Sequence, residues 1–418
     1  MSPAPGRWTR IIPRIACLAA FAAFTYHACL WSPRLTSGFA MYYTYARLVL
    51  QGESLDRVYD DTYFNARIRE FGFNLQDKPN NPPSAGLAYM SVAWLSPAPA
   101  KIVWSCLSVA ALIWALAILF ALSGIRPSGN AGLWLLALVF LWRPAYDSLA
   151  YGQIYCLLLL LFALCMKAVA RERTGGTAVP LAFALVLKGY GIIPVFLLGI
   201  WRRWKEIGVL LVVSACLVAA TFPLVGTRSW TAFVGTVMPS LGGLPPNAHV
   251  AYQTINGMVR HLFTYDPEWL PHPAVVLPGV AVTLLSYGVR CALLLWVLTR
   301  PGFRTGREKF LSFGAVVAAG VVTAPLAEEY HYVLFIPLIF ALAADLARSR
   351  GEWKKLRTLI AASAILLMAA PVEYKHLQCA SFPLILLAYP KLYAGLAMLW
   401  YSGGVARRRE RENARGAR

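Results

Sequence analysis

Apolar residues in this chain come in blocks of about 17 to 25, and that limits its fold before anything else: as a helix, each block is long enough to cross a hydrocarbon core about 30 Å thick. Across 418 residues, 58% are hydrophobic and only 14% are charged, whereas soluble domains carry about a quarter charged residues. The blocks run Leu, Ala, Val and Trp in every register, with no strand alternation, so a membrane β-barrel is not expected. The spacing predicts an all-α integral membrane protein.

A net charge of +20 in a soluble chain would suggest nucleic acid; here its meaning depends on which block ends carry it. Arg7, Arg10 and Arg14 precede the first block, Ile11 to Trp31, which lacks a small-residue cleavage site and reads as a retained first helix. Further basic clusters at Lys167, Arg171 and Arg173, at Arg202, Arg203 and Lys205, at Arg300 to Lys309, at Arg348 to Arg357 and from Arg407 to Arg418 mark cytoplasmic ends. The eight cysteines lie almost wholly within apolar blocks, without CxxC pairs or zinc spacing, and are expected to be small hydrophobes in packing.

The alternation fails at one place. Arg173 and Arg202 both call for the cytoplasm, yet a single apolar stretch separates them, with Lys188-Gly189-Tyr190-Gly191 and Pro194 in its middle. An ammonium beside helix breakers at membrane depth predicts a bent, re-entrant hairpin with Lys188 facing a polar interior. The full count is about eleven membrane segments in one polytopic domain, 1–418. It includes a first outer loop at 32–99 with amphipathic surface helices, a second outer loop at 226–272, and a basic cytoplasmic tail at 403–418.

Ionisable groups at the outer ends of the blocks are the candidates for chemistry, because burying them near lipid is costly. Arg143, Tyr146 and Asp147 with Gly152-Gln153 read either as a sugar-binding turn or as a turn capped by an Arg–Asp pair. Gln253, Asn256 and Arg260, at i, i+3 and i+7, share a helix face suited to a phosphate or a sugar ring; a face looking at water fits equally. In Glu328-Glu329-Tyr330-His331, paired carboxylates stand beside an imidazole, which suits a base, a phosphate contact or a plain polar hairpin. Glu373, Lys375 and His376 repeat that theme in the next loop. No zinc spacing, Walker motif or dinucleotide motif occurs, so neither metal nor cofactor is implied.

The order of the motifs resembles glycosyltransferase family 87. Tyr42-Tyr43 to Gly52 is followed by Val58-Tyr59-Asp60, Asn81-Pro82-Pro83 and Leu95-Ser96-Pro97. Arg143-Pro144, Gly152-Gln153, Leu187 to Gly191 with Pro194, Gln253 to Arg260, and His331 complete it. The resemblance, over about residues 35 to 345, implies a GT-C-type helical bundle related to mycobacterial polyprenol-phosphate-mannose-dependent alpha-mannosyltransferases. It implies transfer of a hexose, mannose by that likeness, from a polyprenyl-phosphate donor to a lipid or glycan acceptor. The reaction is then inverting and metal-independent, on the outer face of a bacterial cytoplasmic membrane, with membrane lipids as neighbours and no nucleic acid.

Tyr42, Arg143, Gln153, Lys188, Gln253, Asn256, Arg260 and His331 become the expected substrate-binding residues. One position departs from the pattern: similar proteins carry an aspartate, expected as the base, in Asp-x-x-x-Tyr, and here Gly38 stands there. The base is therefore sought among Asp60, Asp61, Glu328 and Glu329. Two alternatives keep their place: a flippase for lipid-linked sugars, and a non-catalytic relative that binds the donor.

Overall fold

The computed structural model describes residues 7–171, 174–243, 248–300, 305–347 and 354–416. Of the basic residues expected at cytoplasmic ends, Arg173, Arg304, Arg348, Arg350 and Arg418 lie outside the described residues. So do the side chains of Arg7, Arg10, Lys354, Lys355, Arg357 and the tail from Arg407.

The described chain is helical, with no strand beyond one isolated bridge between Asp266 and Leu270. α1 (Arg7–Trp31) is followed by α2 (Ser37–Leu50), α3 (Asp61–Glu70) and a 3₁₀ segment, Pro83–Ser91. Then come α4 (Pro97–Ser123), α5 (Asn130–Phe140), α6 (Arg143–Ala150), α7 (Tyr155–Ala170), α8 (Thr174–Lys188), α9 (Ile192–Ile200) and α10 (Trp204–Ala232). A π-helical turn joins α10 to the short α11 (Met238–Ser240). α12 (Ile255–Phe263), α13 (Gly279–Leu298), α14 (Gly306–Val322), α15 (Ile336–Leu346), α16 (Lys354–Ala369) and α17 (Pro390–Gly416) complete the order.

Among the described residues, five stretches are long and apolar enough to cross a membrane: Ile11–Trp31, Pro97–Ser123, Trp204–Ser240, Gly279–Leu298 and Glu329–Leu346. A sixth is the pair α5 and α6, bent by 43°, where Pro144 at the start of α6 has no N–H to continue the helical ladder. Their outer surfaces are what lipid requires: on α13, Val280, Leu284 and Leu295 are 74%, 68% and 62% exposed. Apolar faces this bare are not left to water. This is an all-helical membrane protein.

Polar backbone is closed off where helices end inside. Lys101 of α4 is fully buried, and its ammonium takes the carbonyls of Trp31, Arg34 and Ala150 and the Thr36 hydroxyl. One side chain thereby ties the ends of α1 and α6 to α4 and satisfies carbonyls that a helix terminus leaves open. Most of α2 is buried as well, from Gly38 to Ala46 and at Leu48. Its Tyr42 ring stacks on Tyr89 at 4.5 Å, and Tyr89 on Trp104 at 3.8 Å.

Two breaks shape the interior. Helical geometry fails within α10 at Gly226, with φ 74° and ψ 158°. Between α8 and α9 the chain turns at Gly189, φ 71°, a conformation that costs glycine little. A side chain at Gly191 would stand 2.8 Å from Leu181 O and Leu185 N, so the chain there lies back against α8.

Candidate active site

The turn at Gly189 leaves Lys188 at the last position of α8, where its side chain enters a cavity of about 1380 Å³. The polar wall brings together parts of the chain far apart in sequence. Asp77, Asn81, Gln153, Lys188, Glu328 and His331 all line it. Lys188 Nζ donates to Asn81 Oδ1 at 2.5 Å and lies 5.6 and 5.3 Å from the ring centres of Tyr42 and Tyr155. An ammonium has three N–H donors, and Asn81 is the one hydrogen-bond acceptor among the described residues.

Aromatic rings floor the same wall. The His331 ring centre is 4.3 Å from that of Tyr155 and 4.7 Å from that of Tyr330, and His331 Nδ1 is 3.1 Å from Glu328 O. Glu328 Oε1 accepts from the Tyr330 hydroxyl at 2.8 Å. Burial pushes the Glu328 carboxyl above its ordinary range, against the pull of that hydroxyl, Lys375 and Lys188.

Gly38 lines the cavity at the start of α2, and a Cβ built there would stand 2.0 Å from Gln153 Nε2. The Gln153 amide thus fills the place of a side chain at 38, while its Oε1 is 3.5 Å from the Tyr42 hydroxyl.

Much of the remaining lining is apolar. α9 contributes Ile192 and Ile193; α10 contributes Ala215, Val218, Ala219 and Phe222; α13 contributes Leu294 beside Arg290. The α10 set recurs at helical spacing and so forms one stripe along that helix. Arg290, which the charge pattern does not single out, donates from Nε to Thr323 O at 2.6 Å and covers the Tyr287 ring at 5.0 Å. Among the described residues no group of three or more His, Cys, Asp or Glu stands together as a metal site.

The other expected residues lie elsewhere. Asp60 caps α3, accepting from the Thr62 and Tyr63 N–H groups at 3.0 Å, and Asp61 pairs with Lys78 at 2.8 Å. Arg143 pairs with Asp147 at 3.0 Å. Glu329 turns away from its neighbour Glu328 and meets Lys391 at 3.0 Å. Gln253 is fully buried, donating to Val250 O and Ala388 O and accepting from the Lys391 N–H. Asn256 and Arg260 do share a face of α12 and bond each other at 3.3 Å. Their remaining partners are Gly242 O, Gly243 O, Pro325 O, Thr283 and Ser286; of these Pro325 lines the cavity, while Asn256 and Arg260 themselves do not.

Residues 80–328, well over half of the chain, match the model of glycosyltransferase family 87. The chain belongs to glycosyltransferase family 87. Four of its cavity residues, Asn81, Gln153, Lys188 and Glu328, fall inside the matched stretch. Among curated proteins it is 23% identical over 271 residues to the polyprenol-phosphate-mannose-dependent alpha-(1-2)-phosphatidylinositol pentamannoside mannosyltransferase of Mycolicibacterium smegmatis. That alignment covers 65% of this chain and 62% of the relative, so the match spans less than two thirds of the relative's length.

Proposed function

We propose that this family 87 glycosyltransferase moves a hexose, mannose by analogy with its mycobacterial relative, from a polyprenyl-phosphate carrier to a lipid or glycan acceptor. The single observation that carries the reading is the cavity, whose lining combines Lys188, Gln153, Glu328 and His331 with apolar side chains from α9, α10 and α13. Its volume of about 1380 Å³ exceeds the 300–1,000 Å³ of ordinary small-molecule pockets and suits a sugar phosphate with the first part of a lipid tail. The aromatic floor offers faces for a sugar ring, and Gln153 can both donate and accept toward its hydroxyls.

In the proposed reaction the acceptor oxygen attacks the anomeric carbon from the face opposite the phosphate, inverting it. The C1–O bond to the phosphate breaks with its electron pair staying on the phosphate, whose growing charge Lys188 and Arg290 offset. A cavity carboxylate takes the acceptor proton. Phosphate leaves readily once so paired, and the step requires no metal. Of the carboxylates Asp60, Asp61, Glu328 and Glu329, Glu328 is the member that lines the cavity; Tyr42 supports the site through Gln153 and Lys188. Arg143, Gln253, Asn256 and Arg260 serve it from behind, holding the elements that form the walls.

The topology belongs to the same proposal: a GT-C bundle of about eleven segments, in which the shorter apolar helices α7, α8 and α16 supplement the longer ones and α8–α9 form a re-entrant hairpin. The loop at 32–99, the loop at 226–272 and the cavity face outward from a bacterial cytoplasmic membrane, and the tail at 403–418 stays inside. In a background without native cysteines, a thiol at Thr227 then reacts with an impermeant reagent from outside, and one at Arg171 does not; the reverse pattern rejects this orientation.

The activity test uses full-length protein in nanodiscs with radiolabelled polyprenyl-phosphate-mannose and a lipid and glycan extract of the source cells. Label moving to an acceptor is the expected result. Movement of intact donor between vesicle leaflets indicates the flippase instead, and binding without turnover the non-catalytic relative.

A further inference from the structure

Among the described residues, two carboxylates line the cavity, Glu328 and Asp77, and their surroundings differ. Glu328 is engaged by the Tyr330 hydroxyl. Asp77 lies in the loop between α3 and the 3₁₀ segment. Its N–H is tied to Asn65 Oδ1 at 2.9 Å, its Oδ1 accepts from the Lys78 N–H at 2.8 Å, and its Oδ2 is shielded from solvent with no hydrogen-bond partner. A shielded carboxylate oxygen without a close donor is costly to keep, and the Asp77 side chain lines the cavity where a bound hydroxyl would sit.

The position of Asp77 is as informative as its hydrogen bonding. It lies against the Met41 backbone N–H, one turn of α2 beyond Gly38, and its neighbour in the loop, Asn81, reaches both Met41 Sδ at 3.3 Å and Lys188 Nζ at 2.5 Å. Gly38 itself carries no group, and the Gln153 amide occupies the space a side chain there would need. The loop thus brings a carboxylate to the same turn of α2 from a different stretch of chain.

We propose that Asp77 is the base of this cavity, taking the proton of the acceptor hydroxyl while Glu328 stays bonded to Tyr330. The assignment rests on the transferase reading above. The hydroxyl oxygen forms its bond to the anomeric carbon, the bond from that carbon to the phosphate oxygen breaks, and the phosphate departs with the electron pair. The hydroxyl proton passes to the Asp77 carboxylate and is later released to water. Burial already holds the Asp77 carboxyl up to about 7, the range in which a carboxylate is a useful base at neutral pH. The groups facing it are Lys78 from its own loop, Tyr42 and the Met41 N–H from α2, Lys188 from α8, Tyr252, and Glu328.

The test compares wild-type, Asp77→Asn, Asp77→Glu and Glu268→Gln full-length proteins in nanodiscs with radiolabelled polyprenyl-phosphate-mannose and the source-cell extract. Asp77→Asn is expected to slow transfer about 100-fold or more, with donor affinity within about threefold of wild type. Asp77→Glu recovers part of the rate, and the exposed Glu268→Gln control matches wild type. The wild-type rate climbs with pH through about 7, because only the ionised carboxylate accepts a proton, and this limb is missing from the residual rate of Asp77→Asn.

Folding responds in the opposite sense. A carboxyl raised in the folded state stabilises the protein while neutral, below its unfolded value near 4, and that stability is lost as pH rises through about 7. Asp77→Asn is therefore expected to melt no lower than wild type at pH 8. Transfer by Asp77→Asn close to the wild-type rate with the limb intact overturns the base assignment alone, as does loss of donor binding together with turnover. A wild-type protein that binds donor and transfers nothing overturns the transferase reading as well.

Discussion

Lys188 and Lys391 are both ammonium groups brought into an apolar interior, and the fold treats them in opposite ways. Lys391 is fully buried and meets the carbonyls of Leu367, Met368 and Ala370 at 3.2, 2.9 and 2.5 Å, with Glu329 at 3.0 Å. Its donors are used up closing the end of α16 against α17. Lys188 has one acceptor, Asn81, and two aromatic faces, and it borders open space. A buried cation is tolerable when fully paired; one left with spare donors beside a cavity can take an anion, as proposed for Lys188. The adjacent carboxylates Glu328 and Glu329 divide the same way, one to each lysine's surroundings.

The sharpest way to break this contrast is Lys391→Met. It strands Glu329 and three carbonyls, with an expected loss of about 3–5 kcal/mol of stability, measured by thermal or denaturant unfolding in detergent. The transfer rate per folded molecule stays close to wild type. Lys188→Met should do the reverse. Transfer falls about 100-fold, the scale of losing one preorganised group that stabilises developing charge, while the melting temperature holds or rises. If both variants damaged the same property, the two lysines would not differ in kind.

Glu328→Gln and Glu329→Gln sharpen the comparison at one peptide bond's separation. Glu328→Gln is expected to lower the transfer rate about tenfold, the lower end of the 1.5–3 kcal/mol of a hydrogen bond to a charged group. Glu329→Gln lowers the melting temperature and leaves the rate near wild type. The smallest effect belongs to the wholly structural region. The Thr254 side chain caps α12 by accepting from the Gly257 N–H at 3.0 Å, and Thr254→Ala should cost about 1 kcal/mol with no change in donor affinity.

How far the sequence anticipates this site depends on whether a residue announces itself locally. Lys188 does: a cation inside an apolar block, followed by Gly189, has few places to go, and the chain turns there with Lys188 facing the cavity. Gly226, where hydropathy ends a block, is where α10 loses helical geometry. Asn256 and Arg260 show their common face in their spacing, yet not what the face meets, because Gly242, Gly243, Pro325, Thr283 and Ser286 come from three other segments.

Asp77 gives no local sign at all. It sits in Gln76 to Pro83, a polar run rich in Asn and Pro that reads as a solvated loop, and its meaning comes from the loop reaching α2 and Lys188. Nor does anything in the adjacent pair Glu328-Glu329 foretell that the two side chains part, since this follows from the tight 3₁₀ turn of Glu329–Phe335.

The most direct test of the central claim, that the cavity around Lys188 is where the sugar is transferred, is a structure of the full-length protein in nanodiscs with polyprenyl-phosphate-mannose bound. The expected result is a donor phosphate within hydrogen-bonding reach, about 3 Å, of Lys188 Nζ, the mannose over Tyr155 and His331, and the isoprenoid along the apolar faces of α10 and α13. A donor found outside this cavity, with Lys188 still bonded to Asn81 alone, would contradict it.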